Sequence, residues 1–143
     1  MLILPDNLLR QIRGHGEEAY PDECCGVLLG YVEGESKRVV RALPAGNISE
    51  SPANHYEIVP VELIGVEREA RSAGMQILGF YHSHPDHPAE PSVTDLAEAH
   101  WLNASYLITT IGCGGASGTR SYHLAGQSEE SKYFQEEEIR IAD

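Results

Sequence analysis

The stretch from Gln76 to Leu102 constrains this chain more than any other. Gln76–His84 (Q-I-L-G-F-Y-H-S-H) is rich in apolar and aromatic residues and reads as a strand. Pro85–Pro91 (P-D-H-P-A-E-P) cannot continue a strand and does not readily build a helix, so it reads as a loop. Ser92 then opens a helix running to about Leu102. The proline-rich loop is expected to bring the start of the helix back beside the end of the strand. Strand side chains alternate between faces with a period of two, which puts Leu78, Phe80, His82 and His84 on one face.

The remaining segments supply the rest of a mixed α/β (or α+β) domain. Pro5 to Tyr20 reads as a helix, with Asp6 or a neighbour as cap, an apolar stripe of Leu8, Leu9, Ile12 and Ala19, and Pro21 as terminator; His15 and Gly16 fit it less well. Cys25–Val32 reads as a buried strand and Arg38–Leu43 as a second, joined by a turn through Glu33–Ser36. Residues 44–54 read as a loop and Tyr56–Val59 as a short strand. Pro60–Ala73 carries Pro at its start, apolar residues at helical spacing and Gly74 just beyond, so it reads as a second helix. Tyr106–Ile111, Arg120–Leu124 and the tail Tyr133–Ile141 complete the strands, with a Gly-rich turn over Gly112–Gly118. The expectation is three helices around a sheet of about six to eight strands, in one domain over residues 1–143.

Composition narrows the partners. The formal net charge of −12 repels nucleic-acid phosphates and anionic membranes. It fits either a salt-rich host or acidic surface segments, with Glu136-Glu137-Glu138 expected as a solvated face. No apolar run reaches the roughly 20 residues of a membrane span, and the N-terminus lacks the pattern of a signal peptide. Cys24 and Cys25 are adjacent and Cys113 stands alone, so the cysteines suggest neither a disulfide framework nor a C-x-x-C site. The expected compartment is a reducing cytoplasm.

The chemistry is concentrated at the end of the histidine strand. Two histidines at i and i+2 have Cα atoms roughly 6.5–7 Å apart, and their imidazoles can converge on one ion. Asp95, in the first turn of the following helix, supplies a third ligand. His₂Asp with one open position is the pattern of a catalytic rather than a structural zinc. Hydrolysis at such a site needs a base. Glu90 lies in the loop; Glu23, at the junction between the first helix and a buried strand, is the better candidate. His87 reads as a loop residue or a donor to a ligand, and the other histidines have no spacing that recommends them.

His-Ser-His-Pro, with Ser92 eight positions after His84 and Asp95 three after Ser92, resembles the signature of the JAMM (MPN+) metalloproteases. The segment Y-P-D-E-C-C-G-V-L-L-G is similar to the part of that family that carries its catalytic Glu. The resemblance runs from the first helix to the strand after Asp95, while residues 126–143 match nothing in it. It implies an MPN-like curved mixed sheet flanked by helices, one zinc on His82, His84 and Asp95, Glu23 as general acid/base, and Ser92 on the substrate carbonyl or oxyanion. The compact form, with C-C-G and H-S-H-P-D-H-P-A, looks like a bacterial branch that acts on ubiquitin-like sulfur carriers. The implied reaction is hydrolysis after a C-terminal Gly-Gly, for instance releasing a cysteine, with the tail extended along a sheet edge.

Other readings stay open beside this one. Ser92 and Asp95 together make a capping box, which explains both without a metal. A non-catalytic MPN-type scaffold or binding module is the alternative function, although such relatives lack part of the ligand set. A nucleobase deaminase needs His-x-Glu and Pro-Cys-x-x-Cys, which are absent. An amidohydrolase barrel needs about 250 residues.

Overall fold

A computed structural model describes residues 1–142. In chain order the elements are β1 (Leu2–Pro5), α1 (Asp6–Ala19), β2 (Cys25–Glu33), β3 (Ser36–Ala45), α2 (Pro60–Ser72), β4 (Gln76–Pro85), α3 (Val93–Glu98), β5 (Ser105–Gly112), β6 (Gly115–Ala125), β7 (Tyr133–Glu137) and β8 (Ile139–Ala142). All eight strands form one mixed sheet in the order β7-β6-β5-β4-β2-β3-β1-β8. β7 and β8 lie at opposite edges although only Glu138 separates them. One residue advances the chain by about 3.3 Å, so the sheet must curl until its two edges meet at that corner. Leu2 N donates to Glu138 O there (2.9 Å).

The two faces of the sheet carry separate cores. α1 covers Leu2, Leu4, Leu28, Tyr81 and Leu107, while α2 covers Val27, Leu29, Phe80, Tyr106 and Leu124. Adjacent residues such as Val27 and Leu28 divide between the two cores, as the pleat requires. Gly16 is where α1 presses on β5: a Cβ there would meet the Ile111 side chain at 2.8 Å. Its neighbour His15 bonds the Tyr81 hydroxyl through Nδ1 (2.8 Å). The two residues that fit the helix pattern least well are therefore among its contact points with the sheet, beside Leu8 and Ile12.

Five local expectations are corrected. Leu78 does not share a face with Phe80, His82 and His84; it lies in the core under α1 with Tyr81. The β2–β4 register slips there, Leu28 pairing with Gly79 and Leu29 with Ile77, and the extra residue inverts the alternation. Tyr56–Val59 is not a strand, because its backbone is engaged by Ile48 and the Asn47 side chain rather than by another strand. α3 stops at Glu98 rather than near Leu102. Lys132 Nζ takes the carbonyls of Ala97 (3.2 Å) and Ala99 (2.7 Å), and Ala99 turns extended into the core. α1 carries no side-chain cap; Pro5 holds the N-cap position and Asp6 lies in the first turn. In the run Glu136-Glu137-Glu138, strand alternation turns Glu137 inward, where it accepts from the hydroxyls of Ser105 (2.6 Å) and Ser121 (2.9 Å). Among the described residues, no helix is long and apolar enough to cross a membrane.

Candidate metal centre

The end of β4 presents His82 and His84 on one side of the pleat, with their Nε2 atoms 3.2 Å apart. The 86–92 loop returns α3 to this point. Asp95 Oδ2 lies 3.0 Å from His84 Nε2 and 3.4 Å from His82 Nε2. One donor atom from each of the three residues falls within 4.8 Å of the others. The capping box is also present: Asp95 N donates to Ser92 Oγ and Ser92 N to Asp95 Oδ2, both at 2.9 Å. The helix cap thus fixes the Asp95 carboxylate beside the two histidines, so capping and metal binding by Asp95 are compatible.

The chemistry of this donor set calls for a cation. His84 Nδ1 lies 2.9 Å from the Pro88 carbonyl, which only accepts, so Nδ1 carries the hydrogen and Nε2 turns its lone pair to the cluster. That lone pair faces an Asp95 oxygen, which also only accepts. A proton or a metal ion between these two acceptors would satisfy both. Burial disfavours a charged His84, but its bonds to Asp95 and the Pro88 carbonyl outweigh burial and raise its pKa above the usual value. Burial lowers the pKa of His82. Burial also opposes ionisation of Asp95, yet the hydrogen bonds from both histidines hold its carboxyl well below the usual carboxylate range. A divalent ion would replace that proton, so the residues present fit a metal.

Strand register brings Glu23 to the same place. β2 and β4 are antiparallel with Cys25 opposite His82, so continuing the register by two residues sets Glu23 across from His84. Ser83, on the opposite face from the histidines, fastens this junction: Cys24 N donates to Ser83 Oγ (2.8 Å) and Ser83 N to Cys24 O (3.2 Å). Glu23 N donates to Pro52 O (2.7 Å), and Glu23 O accepts from Asn47 Nδ2 (3.1 Å). The residue is 5% exposed, and its Oε1 has no hydrogen-bond partner. Burial pushes the carboxyl up to about 7, with the Asp95 charge adding to the rise and His84 opposing it.

Two cavities flank the cluster. One, of about 320 Å³, is lined by Glu23, Asn54, His84, His87 and Ser92. The other, of about 260 Å³, has walls of Tyr56, Ile58, Leu63, Phe80 and Trp101, with Asp95 at its edge. Glu90 also borders the first cavity, but its carboxylate is exposed and faces Arg120 at 3.6 Å. Cys24 and Cys25 are buried, and burial pushes their thiols up to about 11 and about 12, far from a nucleophile's range.

The family comparison matches residues 5–125 to the prokaryotic homologs of the JAB domain. The chain belongs to the JAB-domain family. It is 37% identical over 103 residues to a desampylase of Haloferax volcanii, covering 72% of this chain and 73% of that protein. It is 32% identical over 124 residues to a probable TtuB-protein conjugate cleaving protease of Thermus thermophilus, covering 87% and 76%. A CysO-cysteine peptidase of Mycobacterium tuberculosis is also 32% identical over 124 residues, covering 87% and 83%. The solution structure of protein DSY2949 from Desulfitobacterium hafniense superposes with a TM-score of 0.85 at 30% identity, covering 100% of this chain and 94% of that one. A JAB fold and relatives named as peptidases agree with the resemblance read from the sequence.

Sequence reasoning missed three residues of this JAB centre. Tyr56 stacks on the His82 ring with centroids 4.5 Å apart. Asn47 ties the backbone of Glu23 to that of His55. His55 bridges Ser49 Oγ (2.7 Å) and Glu98 Oε2 (2.8 Å). All three come from the 46–58 segment or are reached through it, where no periodicity or metal-ligand spacing marks them.

Proposed function

We propose that this protein is a zinc-dependent peptidase, with one zinc held by His82, His84 and Asp95, that hydrolyses the bond after the C-terminal Gly-Gly of a ubiquitin-like sulfur carrier. The observation that carries the reading is the buried, unpartnered Glu23 carboxyl in one cavity with His84 and Ser92, beside the converging donors. The named activities of the relatives supply the substrate class.

Zinc would supply Lewis acidity, polarising the scissile carbonyl and making water a better nucleophile at neutral pH. Glu23 takes the proton from the attacking water and returns it to the leaving amine; a carboxyl with a pKa of about 7 is balanced to do both. Ser92 Oγ already accepts from Asp95 N, which leaves its hydroxyl hydrogen to donate to the carbonyl oxygen as charge develops there. The aromatic cleft beside Asp95 receives the extended carrier tail. Docking along a sheet edge, as the sequence reading expected, is not available at this point, because β4 is flanked by β2 and β5.

The test is to incubate the zinc-loaded protein with a ubiquitin-like sulfur carrier bearing a cysteine after its Gly-Gly and to follow the carrier's mass. Loss of the cysteine, abolished by Glu23→Ala and by chelation, is expected. An unchanged mass with one zinc bound per chain would overturn the choice of substrate.

A further inference from the structure

We infer that Tyr56 is a positioning residue for His82, holding by stacking a ring that the other histidine of the centre holds by a hydrogen bond. The inference rests on the metal-centre reading above.

The two histidines are supported unequally. A metal-bound histidine ordinarily donates its second N–H to a partner, which fixes both tautomer and ring orientation. His84 does so, to the Pro88 carbonyl at 2.9 Å. His82 does not: its Nδ1 is buried and has no partner, although its side chain is only 1% exposed. What lies against the ring instead is Tyr56, with centroids 4.5 Å apart and planes 25° from parallel. Rotation of the imidazole about its Cβ–Cγ bond would drive its edge into the face of the phenol ring. Metal coordination draws electron density from an imidazole, which strengthens its attraction to the electron-rich face of the tyrosine.

Tyr56 can hold another ring only if it is held itself. It belongs to no helix or strand, yet the peptide groups on both sides of it are clamped by one side chain. Asn47 Nδ2 donates to His55 O (3.0 Å), and Glu57 N donates to Asn47 Oδ1 (3.1 Å). The His55 ring is bound on both nitrogens, by Ser49 and by Glu98 of α3. The helix that carries Asp95 and the loop that carries Tyr56 are therefore tied together, and the strap sets the ring face that His82 meets. The same Asn47 holds the Glu23 carbonyl, so one amide registers the base and the ligand support together.

Zinc affinity, measured by competition with a chromophoric chelator, tests this apart from catalysis. Tyr56→Ala and Tyr56→Leu are expected to bind zinc about 10- to 100-fold more weakly, the usual cost of losing a ligand's outer partner. Tyr56→Phe, which keeps the ring face, is expected to bind like the wild type. The leucine variant retains apolar bulk if the alanine variant fails to fold. Asn47→Ala should also weaken binding, and should add nothing in the Tyr56→Leu background. With Co²⁺ in place of zinc, Tyr56→Leu should alter the ligand-field absorption, which a loss of global stability alone would not do. Wild-type zinc affinity in Tyr56→Leu, with affinity lost in Asp95→Ala, would overturn the inference. Wild-type affinity in Asp95→Ala as well would bring down the metal-centre reading, and this inference with it.

Discussion

Replacing Glu23 with Gln should have opposite effects on stability and on activity. In the metal-free protein burial raises this carboxyl from 4.5 to about 7. Between those values the unfolded chain releases the proton while the folded chain keeps it, so folding is progressively disfavoured as pH rises. Below pH 4.5 both states are protonated and the penalty vanishes; above about 7 both are ionised and it levels off. At about 1.4 kcal/mol per pH unit the interval sets an upper limit of about 3 kcal/mol, which solvent in the adjoining cavity reduces to about 2 kcal/mol. Gln keeps the shape and has no charge to desolvate. Urea unfolding of chelated wild type and Glu23→Gln, compared from pH 5 to pH 8, reads this group together with its coupling to His84, since the rest of the chain is shared. The variant should gain stability over the wild type as pH rises towards 7, while zinc-loaded activity falls by about 10²–10⁴. A stability difference that stays flat across that range would refute the buried, proton-holding Glu23 on which the base assignment depends.

Three further outcomes follow from the same geometry. Asp95→Asn keeps an oxygen for Ser92 N but removes the charge that both histidines hold, so the metal-free melting temperature should fall at neutral pH, and zinc binding should weaken by more than the roughly 10–100-fold cost of losing an outer partner; unchanged zinc affinity would leave Asp95 with capping as its sole role. Ser92→Ala should cost about 1 kcal/mol of stability through the lost cap and lower activity by about 10²–10³ through the lost carbonyl donor, and full activity in a folded variant would remove Ser92 from the reaction. Zinc affinity should fall as pH drops through the histidine range, because His84, whose pKa is raised by its bonds to Asp95 and the Pro88 carbonyl, takes up a proton and competes with the metal; a titration that stays flat to about pH 4 would contradict a two-histidine site.

Much of this centre was legible in the chain itself because it is local. His82 and His84 share a strand face by the period of two, and Asp95 is tied to Ser92 by a cap spanning three residues. Hydrogen bonds and alternation of that range are written in consecutive residues, so spacing reveals them before any folding is considered. The same holds for α2, which runs from its N1 proline nearly to the expected end, and for the turn through Gly34.

Where the reading went astray, distant contacts had overridden local pattern. The bulge that moves Leu78 to the other core exists only as a mismatch between β2 and β4, strands 43 residues or more apart in the chain. α3 ends where Lys132, from beyond β6, takes its last carbonyls. Glu137 looks like part of a solvated acidic run until β7 pairs with β6, which sets it opposite Ser121 and within reach of Ser105 on β5.

The sequence by itself determined which atoms can form the centre: two imidazoles, a carboxylate fixed by its own helix cap, and a candidate base upstream. Only the tertiary structure decided that Glu23 comes beside His84 and that a loop tyrosine faces His82. Glu23 reaches His84 through the pairing of β2 with β4, and Tyr56 reaches His82 through the Asn47 clamp. Neither contact has a sequence period, because each is set by how the sheet pairs and where a loop is pinned, and those are properties of the folded chain as a whole.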